Sequence, residues 1–222
     1  MKRWVLGLVG TAALLGGCTE GHVGVPADMA MATDQIPLTG IGGWQDGHFR
    51  LGTSQGSFTR RADQRRLLGF VRDRGTASFD AAGPEFGGNA AGWCGFAQGE
   101  LDTGVAVLPN GRLHYQCEFD RGGSMFLAEV PYGSGLLAGR SRAGEVRLGN
   151  TIVQVRAVHT APGLAVASGT PLGYSFSVAG RQIGAIDLNG RKTVYAPRQP
   201  GPEREAVLMG SLALALFWDP GA

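Results

Sequence analysis

Lysine is nearly missing from this chain. Lys2 and Lys192 are its two lysines, and arginine supplies the rest of the positive charge. Cysteine is scarce as well. Cys18, Cys94 and Cys117 form no C-x-x-C pair, and the four histidines stand at no spacing that completes a metal-ligand set. That sets aside zinc ribbons and thioredoxin-like redox sites, and it implies no cofactor. No G-x-x-x-x-G-K-[ST] loop is present to cradle phosphates. No carboxylate pair stands out as acid and base, and no solenoid-like period recurs. Apolar runs occur at 4–15 and 206–218, and both fall short of the roughly 20 residues that span a bilayer as a helix.

What is present begins with an address. Lys2 and Arg3 precede an apolar run broken by Thr11, and Leu15-Gly16-Gly17-Cys18 closes it. A basic start, a short apolar stretch and small residues before a cut describe a secretory signal over residues 1–17. The plainer reading leaves Cys18 incidental to that signal. Leu15 and Gly17 ahead of Cys18, however, resemble the lipobox of bacterial lipoproteins. The resemblance implies a diacylated Cys18 thiol and a fatty acyl chain, typically palmitate, on its new amino group. Several chains, at about 0.8 kcal/mol per buried CH2, anchor stably where one does not. Thr19 stands where aspartate would favour the inner membrane, which implies sorting to the outer membrane with the body facing the periplasm.

Removing the signal changes the charge. The formal +2 comes from 20 basic and 18 acidic residues, and without Lys2 and Arg3 the two signs balance. The pI near 8.6 therefore belongs to the precursor. No global field draws the protein to nucleic acid. Residues 18–45 read as a lipidated N-terminus and flexible tether, rich in Gly, Ala, Thr and Pro without a period. Residues 46–222 fit a single domain. Cys94 and Cys117 are an even pair in an oxidising compartment and read as a disulfide; two buried free thiols are the alternative.

The domain reads as strands and turns. Leu113, Tyr115, Cys117 and Phe119 alternate with Arg112, His114, Gln116 and Glu118, a half-buried strand. The pattern recurs at 172–178, and Ala179-Gly180 and Asn189-Gly190 turn the chain through 181–188 and 191–196. Further strands are expected at 48–52, 56–61, 66–72, 75–80, 92–98, 105–108, 124–130, 145–148 and 151–158, with a Gly- and Ala-rich loop at 82–91. Such spacing indicates a barrel or sandwich of about a dozen short strands. The chain end differs. Gly201-Pro202-Glu203-Arg204-Glu205 starts a helix expected over about 203–218, with proline and acids suited to its first turn. Ala206 onward is apolar on every side, and such a helix belongs in an interior. The fold class is mainly β, around or against one apolar C-terminal helix.

The stretch from Tyr174 to Trp218 resembles the tubby C-terminal-like fold shared by phospholipid scramblases and LURP-one-related proteins. Tyr174-Ser-Phe-Ser-Val-Ala-Gly180 ends a strand in a glycine turn, Ile183-Gly184 opens the next, and the hydrophobic helix follows. The resemblance implies a barrel closed around a buried C-terminal helix. No residue here matches the family's calcium site, so neither that site nor its lipid activity is carried over.

Three constellations bear on chemistry. Gly52-Thr53-Ser54-Gln55-Gly56 fits G-x-S-x-G, but a returning strand follows where a hydrolase elbow needs a helix, so a hairpin is the better reading. His22, His48, His114 and His159 read as surface residues. The strongest local signal is charge. Residues 50–74 are rich in arginine, and residues 75–120 are acidic. Either neighbouring strands neutralise each other, or Arg60, Arg61, Arg65 and Arg66 form an anion-binding patch for headgroups or an acidic partner. The reading as a whole is a non-catalytic binding or structural module of the cell envelope. It meets the membrane through its lipid, with anionic lipid or an envelope protein as further partner. The alternatives are a carrier or sensor of an apolar ligand such as a lipid and, on the Ser54 motif alone, a serine hydrolase.

Overall fold

A computed structural model describes residues 22–43, 45–67, 70–102, 107–109, 113–133, 139–164 and 166–217. The elements are α1 (Ala27–Ala32), β1 (Thr33–Thr39), β2 (Asp46–Leu51), β3 (Ser54–Leu67), β4 (Phe70–Gly83), β5 (Gly88–Asp102), β6 (Val107–Pro109), β7 (His114–Phe119), β8 (Gly123–Tyr132), β9 (Gly139–Leu148), β10 (Thr151–Val158), β11 (Gly173–Val178), β12 (Arg181–Asp187), β13 (Thr193–Pro197) and α2 (Pro202–Leu216). All strand pairs are antiparallel. Each strand except β6 pairs with the next, and β13 returns to β1. Twelve strands thus close into a barrel, and β6 pairs only with the tail of β5. Closure leaves no bare edge around the wall.

Period-two alternation sets the wall. In β7, Tyr115, Cys117 and Phe119 are buried while His114, Gln116 and Glu118 face out. An eight-stranded barrel is filled by its own side chains, and twelve strands leave a wider bore. Helix α2, about 10–12 Å across with side chains, fills it. Every residue from Ala206 to Leu216 is buried. The fit is close at Gly210, where a Cβ would come within 2.9 Å of Phe176 and Val146. No helix among the described residues is long and apolar enough to cross a membrane.

The barrel has two unlike ends. Tight turns at Gly52-Thr53, Gly149-Asn150 and Ala179-Gly180 mark the turn end, where α2 enters. There Arg204 donates to Asp34 at 2.9 Å, to the Pro197 carbonyl at 2.6 Å and to Glu85 at 2.6 Å, tying the helix to the wall. Arg121 meets Glu205 at 2.7 Å beside it. The loop end holds longer connections, among them residues 159–172, and the exit of α2. Here Phe217 packs on Tyr115 and Phe96, with ring centroids 4.7 and 5.5 Å away, and Arg142 covers it at 4.9 Å.

Three expectations change. The tether over 18–45 does not hold where the chain is described. Val23 and Met29 pack on Leu172 and Ala185 of the outer wall, and Thr33–Thr39 is a wall strand between β2 and β13. Pro37 hides this strand in the sequence, because proline argues against a central strand. The expected strand at 66–72 instead spans the end of one long hairpin, whose last pair is Leu67 with Phe70. The loop at 82–91 is a short 3-10 turn, Pro84–Phe86, between strand residues. The helix and the other strands appear where the sequence puts them, with several strands longer at one or both ends, while residues 105 and 106 of the strand expected at 105–108 lie outside the described residues.

Candidate functional site

With α2 in the bore, the sizeable indentations lie on the outer wall. Among the described residues, two of these are large enough to hold a small ligand. The larger, about 850 Å3, is lined among others by His48, Arg50, Gln55, Asp80 and Asp120. Its charges are mixed, and the phenyl ring in its lining, Phe49, is buried. The second, about 510 Å3, crosses β3, β4, β5 and β7 and is lined among others by Arg61, Arg74, Trp93, Gly95, His114 and Gln116. Its charge is mixed as well, with Asp63 beside Arg61 and Arg74, but it is the stronger candidate because an exposed indole stands among its cations.

Strand alternation builds this groove. Cys94 and Phe96 point into the core, so Trp93, Gly95 and Ala97 point out. Trp93 is 55% exposed, unusual for the largest apolar side chain. Gly95 supplies an open floor beside it: a Cβ there would have the Trp93 ring edge at 3.6 Å and the Gly75 carbonyl at 3.9 Å. His114 and Gln116 stand opposite, on β7, and the Phe126 ring lies 6.0 Å from His114. Directly beneath, Cys94 and Cys117 face each other across β5 and β7 and form a disulfide with Cα atoms 4.0 Å apart. The bond locks the register of the two strands that carry Trp93 and His114. Arg61 holds Asp46 at 2.9 Å, with both side chains more than half exposed, so the pair contributes little and leaves the guanidinium available. Arg74 is exposed, and Asp63 stands opposite it in register. The arrangement can stack a flat face on indole and offer forked donors to an anionic group.

The expected four-arginine patch is divided. Arg61 lines the groove, but Arg60 points inward and is 7% exposed. Phe58 and Arg60 share the inner face, and at the loop end the Arg60 guanidinium bonds the Gly42 carbonyl and lies 5.2 Å over the Phe58 ring. Burial pushes its pKa below the ordinary value. Arg60 is therefore no part of an exposed patch. The backbones of Arg65 and Arg66 pair with Arg72 and Val71, while their side chains lie outside the described residues. Cys18 and the signal also lie outside them. The segments of opposite charge do become neighbours, as β3 pairs with β4 and β4 with β5.

Ser54 is buried at the start of β3, and its hydroxyl accepts from the Glu85 amide at 3.0 Å. The motif is a hairpin, as the sequence suggests, with no elbow geometry. A different serine meets a histidine. His159 Nε2 lies 3.0 Å from Ser141 Oγ, its Nδ1 lies 3.0 Å from the Ser168 carbonyl, and Tyr132 stacks on its ring at 4.9 Å. The surface reading of His159 is wrong: it is 3% exposed. The carbonyl fixes Nδ1 as donor, so in the neutral ring Nε2 accepts from the serine. This resembles a nucleophile and base, but both are sealed under the loop they hold, so the pair acts as a pin. No spacing in the sequence marks it. Trp93, by contrast, was legible as the outward neighbour of Cys94.

The chain matches no protein-family model, no curated protein and no solved structure.

Proposed function

We propose that this chain is a lipoprotein anchored through Cys18 at the periplasmic face of the outer membrane, acting as a non-catalytic binding module. One observation carries the binding reading. The bore is filled, and the wall offers a groove in which a 55% exposed Trp93 stands beside Arg61 and Arg74. Its ligand has a flat apolar face and an anionic group. The signal-like N-terminus and Leu15-Gly16-Gly17-Cys18 support the address. The barrel around a buried helix supports the tubby-like resemblance. A filled bore works against a carrier of lipid inside the barrel, and the sealed Ser141–His159 pair works against a hydrolase.

The test is native mass spectrometry of the protein extracted from membranes in mild detergent. The expected result is a small-molecule adduct on the wild type that is lost in Trp93→Ala and in Arg74→Ala. An adduct retained in both variants places the ligand elsewhere and contradicts the groove. A bare wild-type mass contradicts a small ligand and moves the search to protein partners.

A further inference from the structure

The chain enters the barrel at one end. His22 Nδ1 lies 2.9 Å from Asp187 Oδ2, and the Val23 amide donates to the same oxygen at 3.1 Å. Asp187 is the last residue of β12, at the loop end, and Asn189 donates its amide to the other carboxylate oxygen at 2.9 Å. Cys18 stands four residues before His22. Four extended residues reach at most about 14 Å. The turn end lies a strand length farther, roughly 20 Å for a strand like β12. An acylated Cys18 therefore brings the loop end to the membrane.

The surface chemistry differs between the ends in the same sense. On the connection between β10 and β11, Val166 is 72% exposed and Leu164 is exposed near it; Tyr132 is exposed at the end of β8. At the same end stand basic residues: Arg191 and Lys192 between β12 and β13, Arg156 near the end of β10, and Arg61 and Arg74 on the long hairpin. Arg156, Arg191 and Lys192 make no side-chain ion pair among the described residues. Among the residues whose side chains are described, four acids at this end each face a partner. Asp46 holds Arg61, Asp187 holds the N-terminal segment, Asp63 stands opposite Arg74, and Glu129 stands opposite Arg142. Toward the turn end, Asp28 and Glu203 stand with Arg181; Arg121, Arg198 and Arg204 are each paired with an acid; and the exposed large apolar side chains, Met31 and Ile152, are single.

From the anchor point and this asymmetry we infer that the barrel stands end-on, its loop end seated on a bilayer surface that carries anionic headgroups. The inference rests on the anchor proposed above. Leu164 and Val166 enter the interfacial layer, and Arg156, Arg191 and Lys192 meet headgroup phosphates. Each Lys or Arg near such a surface strengthens partition roughly fivefold. The Trp93 groove, whose Arg61 and Arg74 belong to the same long hairpin, is then held close above the membrane.

The test uses the full acylated chain in vesicles of phosphatidylethanolamine and phosphatidylglycerol, with a fluorophore on a cysteine placed at Val166 or at Asn150. Lipid-borne quenchers are expected to quench the probe at 166 and to spare the probe at 150. In the unacylated Cys18→Ser chain, Arg191→Glu with Lys192→Glu is expected to weaken partition to the same vesicles by roughly 25-fold or more. Equal quenching at both positions, or partition indifferent to charge reversal, overturns the inference. So does protection at 166 that follows protein density instead of lipid composition, which assigns the face to a second copy. The intact mass separately reports the acyl chains. If they are missing, the anchor reading fails, and the Cys18→Ser measurements still decide the docking.

Discussion

The Tyr115 hydroxyl donates to the Ala213 carbonyl at 2.7 Å, joining the barrel wall to the helix inside it. Ala213 lies in the last turn of α2. Its usual partner, the Phe217 amide, bonds the Leu214 carbonyl instead. The last carbonyls of a helix lack intrahelical donors, and a buried one without a partner is costly. Tyr115 supplies that donor from β7. Burial pushes the phenol's pKa well above its ordinary value, Tyr174 adds to the rise, and Arg60 opposes it.

Tyr115→Phe is expected to cost about 1–3 kcal/mol, because it strands the Ala213 carbonyl. The raised pKa adds a pH signature. The folded state holds the phenolic proton more tightly than the unfolded chain, so this contribution is complete below about pH 10 and is lost as pH rises above it. The slope is about 1.4 kcal/mol per pH unit. Denaturant titrations between pH 8 and 11 should show that the steep alkaline loss is smaller in Tyr115→Phe. Parallel curves for the two proteins would contradict this role.

Reducing the disulfide is expected to cost about 3 kcal/mol, for the loop closed by a sequence separation of 23. The barrel should remain folded, since β5 and β7 keep their backbone ladder, while Trp93 gains mobility. Thermal melts with and without reductant, followed by Trp93 fluorescence anisotropy, check both parts. An unchanged melt would mean that the bond constrains nothing the ladder does not already fix.

His159→Ala is expected to cost about 1–3 kcal/mol and to free residues 159–172, because Ser141 Oγ is left buried without its acceptor. Hydrogen exchange should accelerate at the Ser168 amide, which now bonds the His159 carbonyl at 2.7 Å. Exchange as slow as in the wild type would show that the loop does not depend on the pin.

The barrel plan was readable because strand alternation and an all-apolar helix are local patterns. Leu113 to Phe119 and Ala206 to Leu216 needed only their own neighbours to be assigned. Closure was not local. It required β1, whose Ile36-Pro37-Leu38 carries the period but also the proline that argues against it. The site was half readable. Cys94 with Phe96 on one face leaves Trp93 on the other, so the platform follows from alternation. Arg60 was misread because its sequence neighbours are charged, whereas its inward position follows from Phe58 two residues earlier. Ser141 near the start of β9 and His159 just past β10 are brought together by the pairing of those two strands, and nothing within either segment encodes that register.

The most direct test of the filled barrel is Leu212→Asp. Leu212 is fully buried on α2. An unpaired charge there costs several kcal/mol against a total stability of roughly 5–15 kcal/mol. Circular dichroism melts are expected to show loss of the cooperative transition, or a midpoint lowered by tens of degrees. A folded variant with the wild-type midpoint would put the helix outside the core, reopen the bore to ligand, and contradict the assignment of recognition to the outer wall.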